Sequence, residues 1–484
     1  MKRALPWIAT LGVLGAATSC SLVIGSLDEC KVDGDCAKKG PGLVCQDSLC
    51  VVSTVIPDAG VDAGFDAGPA VLHDPLCQDV YGSADGGTVL RLGAVVPKST
   101  SAGVVDIRGV YRGDAIAMAV QELNSKSALP GTSVVIRVCD DTGDNTKAAA
   151  EAGELIDEGA VALVTTGSSQ TIAIANAVVP RGVAVMSISA TSTQIQSAGV
   201  LSDGGAKRVW STATSDALQA KVLAGMMDDA GFARPACVHA DDVAFNGLYA
   251  DLTQDLPVFS DGGLNLPQFL YETGASPTPA IQQAQSLLPA PDAVVLISTV
   301  GDTGALLDAW EGTDPKWLFT DNARSTSIYA FDGGLARLTG SKGTGPSTPS
   351  ATNLEYSNFH ALFVTDFPDA GDPSLVSYVP NAYDAVLLLG AGSLWAQGHG
   401  GISGAGISMG LTQLSDTTQA ITPLTADQFT SLGASFNQGK KVNVSGASGA
   451  LDFDNTQGVA PGPIDIWAIA PDGGIITLDT VVNP

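Results

Sequence analysis

The chain has 484 residues, of which 45% are hydrophobic and 15% charged, so it can bury sizeable cores and is not disordered as a whole. Its 23 Lys and Arg against 50 Asp and Glu give a net charge of −27, which a nucleic-acid backbone would repel. At about 150 residues per domain, the length predicts about three units, or fewer if one fold is large. We therefore expect a large acidic globular protein that binds no nucleic acid.

The first residues are typical of an export signal. Two basic residues precede an apolar run from Ala4 to Ala17, which is shorter than the ~20 residues that span a bilayer. Residues 1–19 are therefore predicted to be a signal peptide. The small residues before Cys20 are similar to the lipobox of bacterial lipoproteins, although Ala17 stands where Leu is usual. The resemblance implies that Cys20 is lipidated and anchors the protein in the cell envelope, at the outer membrane or its periplasmic face. Simple secretion is the alternative.

Besides Cys20, four cysteines crowd into the next segment, residues 20–53. In an oxidising compartment such a cluster predicts two disulfides that stabilise a module too small to hold a core. The cysteine spacings do not match paired zinc ligands, which makes a metal site the weaker interpretation. The pairing cannot be read from the sequence, so all four are disulfide candidates: Cys30, Cys36, Cys45 and Cys50.

Residues 54–76 contain three Asp-Ala-Gly triplets and no apolar period, which predicts a flexible acidic linker. Similar triplets recur between periodic segments farther along the chain, where Asp and Gly favour turns. None of them has the carboxylates of a calcium loop. We predict neither a metal site nor a cofactor.

From residue 88 onward, strand-like and helical segments alternate, which predicts parallel sheets with helical crossovers. The first alternation predicts strands at 89–96, 133–138, 161–165 and 183–188, and helices at 109–124, 146–158 and 169–178. The second predicts strands at 236–239, 293–297 and 317–319, and helices at 217–230, 247–255, 280–288 and 303–310. A long apolar helix is predicted at 378–395. Two such lobes predict a cleft, and open α/β sheets bind ligands at the carboxyl ends of their strands.

Eight short segments of this region follow one another at characteristic spacings: LGAVVP at 92–97, AMAVQELN at 117–124, CDDTGD at 139–144, LIDEG at 155–159, GSS at 167–169, SISATS at 187–192, YDAV at 383–386 and PIDIW at 463–467. Together they are similar to type I periplasmic binding proteins, and most of all to the leucine/isoleucine/valine-binding branch of that family. Their order and spacing carry the resemblance, since no single segment is specific.

The resemblance implies a bilobed domain over residues 77–484, an α/β fold of two doubly wound parallel-sheet lobes joined by three crossovers. Lobe one would comprise about 88–211 and 346–440, and lobe two about 212–345 and 441–484. Such proteins close over a small ligand, here an amino acid or a related compound, and deliver it to an ABC permease. A sensory or surface-interaction lipoprotein with the same fold is the alternative, because a transport receptor needs neither the cysteine module nor the linker.

The resemblance also implies a set of ligand-binding residues. Ser168 and Ser169 begin a helix, where free N–H groups and the helix dipole favour a carboxylate; helix capping is the alternative. The next loop would bind both the α-carboxylate and the α-amino group, and Asp321 from lobe two would pair with the ammonium. Asp106 and Thr299 stand where the family has aromatic residues, and Phe245 follows a position where tyrosine is common. The nine candidates are Ser168, Ser169, Ser189, Ala190, Thr191, Asp321, Asp106, Phe245 and Thr299. For both acidic candidates the alternative is a solvated loop position.

Two further features concern covalent chemistry. Cys77 and Cys139 flank predicted strands and can form a disulfide if those strands are neighbours, whereas Cys237 lies in an apolar strand and is predicted to be a buried thiol. The sequence around Ser408 matches G-x-S-x-G, but a Gly-rich stretch precedes it where a nucleophile elbow needs a buried strand. We therefore expect that the protein is not an enzyme.

Overall fold

The computed structural model describes residues 43–46, 49–52 and 76–482, except for 85–86, 102, 198–201, 204–205, 260–263, 330, 332, 348 and 350–352. The predicted signal peptide, Cys20, Cys30, Cys36 and nearly all of the predicted linker lie outside the described residues. In the cysteine module, Leu43–Gln46 and Leu49–Val52 form an antiparallel hairpin whose register places Cys45 opposite Cys50. No helix among the described residues is both long and apolar enough to cross a membrane.

The first lobe contains a six-stranded sheet that is parallel apart from one edge strand, Asp79–Gly82. Its strands, in spatial order, are Val209–Ser211, Ala184–Ser187, Ala162–Thr165, Thr88–Val95, Thr132–Cys139 and Asp79–Gly82. The two strands Ala162–Thr165 and Ala184–Ser187 are buried along their whole length. This continuous burial explains their unbroken apolar character, because parallel sheets are covered by helices on both faces.

Helices surround this first sheet. Those that precede the first crossover are Ile107–Ser125, Asn145–Asp157, Ser168–Val178 and Gln194–Ser197, and a short hairpin joins Ser202–Asp203 to Ala206–Lys207. After the chain has returned from the second lobe, it forms the helices Leu354–Asp366, Val379–Gly398, Gly404–Leu411 and Phe429–Asn437. The helix Val379–Gly398 is apolar over most of its circumference because it lies within the core, with Leu387 and Leu388 fully buried.

The second lobe contains a seven-stranded mixed sheet. Its strands, in spatial order, are Gln268–Glu272, Pro235–Asp241, Ala293–Ile297, Lys316–Phe319, Lys342–Pro346, Ile464–Ile469 and Ile475–Val481; the last two run antiparallel to their neighbours. Its helices are Asp216–Asp229, Val243–Phe259, Thr278–Gln285, Val300–Asp308 and Gly334–Leu338. Phe319 and Trp467 stack in the core with ring centroids 5.9 Å apart, which packs the late strand Ile464–Ile469 onto the earlier part of the sheet.

The chain passes between the lobes three times, and this confirms the predicted fold class of two doubly wound α/β lobes. The passages lie between Ser211 and Asp216, between Pro346 and Asn353, and between Ala460 and Ile464. The third one comes later than we expected, because residues 441–460 belong to the first lobe and not to the second.

The reason for this correction is hydrophobic packing. Val444, Leu451 and Phe453 are buried in the core of the first lobe. The Phe453 ring packs edge-to-face against Trp210, with the ring centroids 5.6 Å apart. A small three-stranded sheet holds this segment in place, with strands Ile421–Pro423, Asn443–Gly446 and Gly449–Ala450. Isolated short strands of this kind carry little signal in the sequence.

The predicted disulfide between Cys77 and Cys139 is confirmed. It joins the segment before the edge strand to the end of Thr132–Cys139, and the Arg137 side chain donates a hydrogen bond to the Cys77 carbonyl at the same place. Cys237 is a free thiol that is completely buried in the second lobe, as the sequence predicts.

Candidate ligand-binding site

The candidate site is built from loops that follow the carboxyl ends of strands in both lobes. In the first lobe, Gly167–Ser169 follows Ala162–Thr165, and the loop 188–193 follows the adjacent strand Ala184–Ser187. In the second lobe, Asp321 follows Lys316–Phe319. This is the edge at which open α/β sheets bind ligands.

The helix Ser168–Val178 begins without a side-chain cap. Its N-cap residue is Gly167, whose φ of 62° lies in a region that glycine adopts without strain, and a Cβ there would lie 2.4 Å from Gln170 Oε1. Because glycine has no side chain to accept from them, the first N–H groups of this helix remain available for an external acceptor. A helix start of this kind favours a carboxylate or another anion.

Hydrogen bonds hold the two loops of the first lobe together. The Ser168 hydroxyl accepts from the backbone N–H groups of Thr191 at 3.3 Å and Ser192 at 3.2 Å, and the Ser189 hydroxyl accepts from Gly167 N at 2.9 Å. The Ala190 carbonyl accepts from the Ser211 hydroxyl at 2.8 Å. Four predicted residues, Ser168, Ser189, Ala190 and Thr191, therefore form one connected group.

Asp216 belongs to the same site, and our sequence analysis did not select it. It begins the helix Asp216–Asp229 directly after the first crossover, is only 3% exposed, and its backbone N–H donates to the Thr191 carbonyl at 2.8 Å. Burial raises the pKa of Asp216 well above its usual range, and the nearby Asp321 carboxylate raises it further. An acidic residue at the first position of a buried apolar helix is the signal that could have identified it.

Tyr378 is a second candidate residue that was not predicted from the sequence. Its hydroxyl donates to Asp321 Oδ2 at 2.9 Å, which joins the first lobe to the second. The residue adopts a left-handed conformation with φ of 67°, which costs free energy for a bulky side chain and is typical of sites where geometry matters for function. Burial raises the pKa of Asp321 from its usual value, since desolvation outweighs the opposing hydrogen bond from Tyr378.

Two predicted residues make other contacts. The Ser169 hydroxyl donates to Asp242 Oδ2 at 2.7 Å, so it binds the opposite lobe. Both oxygens of Asp106 are engaged by Arg108, from Nε at 3.0 Å and from Nη2 at 2.7 Å, and Oδ1 also accepts from Arg108 N to cap a helix. Asp106 is thus neither a free ligand group nor a plain solvated acid.

The remaining two candidates have structural positions. Phe245 is 9% exposed and packs in the core of the second lobe, because the helix Val243–Phe259 turns this side chain inward. Thr299 caps the helix Val300–Asp308, where its hydroxyl accepts from Asp302 N at 3.2 Å and donates to Asp302 Oδ2 at 3.0 Å. Phe245 therefore contributes to the core of the second lobe, and Thr299 stabilises the start of a helix.

A cavity of about 940 Å³ adjoins this site. Asp321 and Tyr378 line it, together with residues of all three crossovers, among them Thr212, Ser347 and Pro461. A volume of this size suits a small organic ligand, because such sites commonly measure about 300–1,000 Å³.

Two chemical features lie outside the site. Cys77, Cys139 and Glu151 are close enough to be considered a metal-binding group within the described part of the chain, but the two cysteines are joined in a disulfide and offer no thiolate. Ser408 is buried in the middle of the helix Gly404–Leu411, which has a serine cap and not a strand before it. This arrangement differs from a nucleophile elbow.

Comparisons with known proteins agree with this architecture. The family model for periplasmic binding proteins matches residues 89–439. No curated protein sequence matches the chain.

Solved structures with the same fold have low sequence identity. A leucine-binding protein, LivK of Thermotoga maritima, is 17% identical over 81% of this chain and 99% of its own, with a TM-score of 0.63. LivJ of Streptococcus pneumoniae, solved with isoleucine, is 15% identical over 82% and 100%, with a TM-score of 0.60. A solute-binding protein of R. palustris, solved with 4-hydroxybenzoate, is 14% identical over 82% and 98%, with a TM-score of 0.63.

Proposed function

This chain belongs to the periplasmic binding protein family, and we propose that it is an extracytoplasmic receptor for an amino acid or a closely related compound. The observation that carries the proposal is a pairing of opposite chemistries across the cleft. An uncapped helix start at Ser168 offers N–H donors on the first lobe, and two carboxylates belong to the second lobe, the buried Asp216 and the half-buried Asp321.

This pairing matches a zwitterion. The N–H groups at the helix start favour the α-carboxylate, and the two acidic side chains favour the α-ammonium. An ammonium placed between Asp216 and Asp321 would also relieve the mutual repulsion that contributes to the raised pKa of Asp216. A ligand that contacts both lobes stabilises the closed arrangement, which is the mechanism of a hinged receptor.

We propose two further features of the biological context. The exported chain would be anchored through a lipid on Cys20, and the closed receptor would deliver its ligand to an ABC permease. The solved relatives include proteins described as ABC-transporter substrate-binding proteins, which supports the second of these. Incorporation of labelled palmitate that is lost in Cys20→Ser tests the anchor. Labelling that persists in this variant would contradict it.

Thermal-shift screening of the full chain against the amino acids and small carboxylates tests the binding function. A ligand at 100 times its dissociation constant should add about 2.7 kcal/mol to the free energy of unfolding. We expect the shift to disappear in Ser168→Ala and Thr191→Ala and to remain in Ser125→Ala, whose hydroxyl donates to Glu122 O within its own helix. Retention of the full shift in both site variants would contradict the proposed site.

A further inference from the structure

A buried cation lies beside the candidate site. Arg112, in the helix Ile107–Ser125, is only 8% exposed, and its guanidinium lies over the Tyr378 ring at 5.6 Å from the ring centroid. The hydroxyl of the same tyrosine donates to Asp321. A single tyrosine side chain therefore separates the guanidinium from one of the two carboxylates proposed to bind the ammonium.

Arg112 forms no ion pair with any carboxylate among the residues that the structure describes. Its Nε and Nη2 donate to one acceptor, the Ser377 carbonyl, at 3.3 and 3.1 Å. An arginine has five N–H donors, so three of them have no hydrogen-bond partner within the described part of the chain. Buried charges are normally paired, which makes this an unusual position for a guanidinium.

The charged neighbours of Arg112 do not neutralise it. The Asp106 carboxylate attracts Arg112 electrostatically, but Arg108 already occupies both of its oxygens. Arg108 also repels Arg112, and desolvation and this repulsion lower the pKa of Arg112 to about 10. At neutral pH the side chain nevertheless remains a buried cation beside Tyr378 and Ser377.

We infer that Arg112 binds a second anionic group of the ligand, so that the ligand class is the acidic amino acids, such as glutamate and aspartate. This inference rests on the proposed function. The amino acid core would occupy the helix start of Ser168 and the acidic pair of Asp216 and Asp321, and the side-chain carboxylate would meet the unpaired N–H groups of Arg112. A planar guanidinium suits a carboxylate because it can donate two parallel hydrogen bonds.

The 940 Å³ cavity supports the inference because Ser377 and Tyr378, the two direct contacts of Arg112, both line it. The cavity therefore reaches both groups that hold the arginine in place. Tyr378 has the acidic Asp321 on one side and the basic Arg112 on the other. This arrangement fits a ligand that carries separate positive and negative groups.

Calorimetric titration of the full chain with L-glutamate, L-aspartate, L-glutamine and L-leucine tests the inference. We expect the native chain to bind an acidic amino acid at least about tenfold more tightly than glutamine or leucine, since an unmade hydrogen bond to a charged group has an effect of that order. Arg112→Gln should remove this preference. Arg181→Gln is the control, because that exposed arginine of the same lobe is already paired with Asp157, and it should keep the preference.

Each outcome is informative. If the native chain binds glutamine or leucine as tightly as the acidic amino acids, or if Arg112→Gln keeps the preference, this inference is overturned while the proposed function stands. If no amino acid binds the native chain, the proposed function fails and the inference fails with it. Should Arg112→Gln not fold, Arg112→Met takes its place, because methionine is neutral and of similar length. An unchanged ratio of glutamate to glutamine affinity in that variant would overturn the inference.

Discussion

The Ser169 hydroxyl of the first lobe donates a 2.7 Å hydrogen bond to Asp242 Oδ2 of the second lobe. Asp242 precedes the helix Val243–Phe259 and uses its other oxygen to accept from Ala244 N at 2.8 Å, so the carboxylate is fixed in position. Thr193 makes a similar bond to Asp251 Oδ2 at 2.9 Å. These direct bonds between lobes contribute to the closed arrangement independently of any group that a ligand brings.

Ser169→Ala should weaken ligand binding although Ser169 need not touch the ligand. Loss of a hydrogen bond to a charged acceptor destabilises the closed state relative to the open state by about 1–2 kcal/mol. The apparent affinity for the ligand should therefore fall by about five- to thirtyfold. Calorimetric titration measures this effect, with Ser286→Ala as the control because that hydroxyl bonds only to Gln283 within its own lobe. Equal affinities in the two variants would show that the Ser169 bond does not influence closure.

Asp321→Asn should have a larger effect on amino acid binding than Tyr378→Phe. The first variant removes a half-buried negative charge proposed to pair with the ammonium, at a cost of about 2–5 kcal/mol in binding free energy. The second removes only the hydroxyl that donates to Asp321, at a cost of about 0.5–1.5 kcal/mol. Titrations of both variants with the same amino acid check this order, and a reversed order would contradict the role given to Asp321.

Stability should fall as the pH rises from about 4 to about 7, in part because of Asp384. Burial raises the pKa of this carboxyl from 3.8 to about 7, against the opposing hydrogen bonds from Ser448 and Ala447. In this pH window the folded chain keeps the Asp384 proton that the unfolded chain releases, so rising pH favours unfolding by up to about 1.4 kcal/mol per pH unit. Thermal unfolding across this range should be less dependent on pH in Asp384→Asn.

The control for this experiment is Asp369→Asn, because Asp369 is exposed. We expect its pH profile to match that of the native chain. The slope should decrease in Asp384→Asn without disappearing, since burial also raises the pKa of Asp114 and Asp141 to about 6. An unchanged slope in Asp384→Asn would rule out a contribution from this carboxyl.

The Cys77–Cys139 disulfide should contribute to stability by restricting the unfolded chain. It closes a loop with a sequence separation of 62, for which chain entropy predicts a contribution of about 4 kcal/mol. The double variant Cys77→Ser, Cys139→Ser should unfold at a lower temperature, whereas Cys237→Ser removes a thiol outside the disulfide and serves as the control. Identical unfolding temperatures of the native chain and the double variant under oxidising conditions would contradict the prediction.

Most of the fold was predictable because its elements have strong local signals. The strand predicted at 293–297 is Ala293–Ile297 in the structure, and the helix predicted at 146–158 is Asn145–Asp157. The segment 441–460 was assigned to the wrong lobe, since its short strands have no clear period and only the packing of Phe453 against Trp210 shows where it belongs.

The candidate site was predictable only in part, because some of its contacts depend on tertiary packing and not on local signals. Ser168 and Thr191 lie in loops between well-defined elements, so their proximity follows from the order of neighbouring strands. The contacts of Asp106 with Arg108 and of Ser169 with Asp242 depend on side-chain geometry that no spacing encodes.

By itself, the sequence determined the acidic balance, the alternation of strands and helices and the two-lobed α/β class, because composition and periodicity act locally along the chain. Only the tertiary structure brought Asp216, Asp321, Tyr378 and Arg112 to one place, since they come from four separate segments. The length of 484 residues predicted about three units, whereas the described residues form a small cysteine hairpin and one bilobed domain, because three crossovers join both lobes.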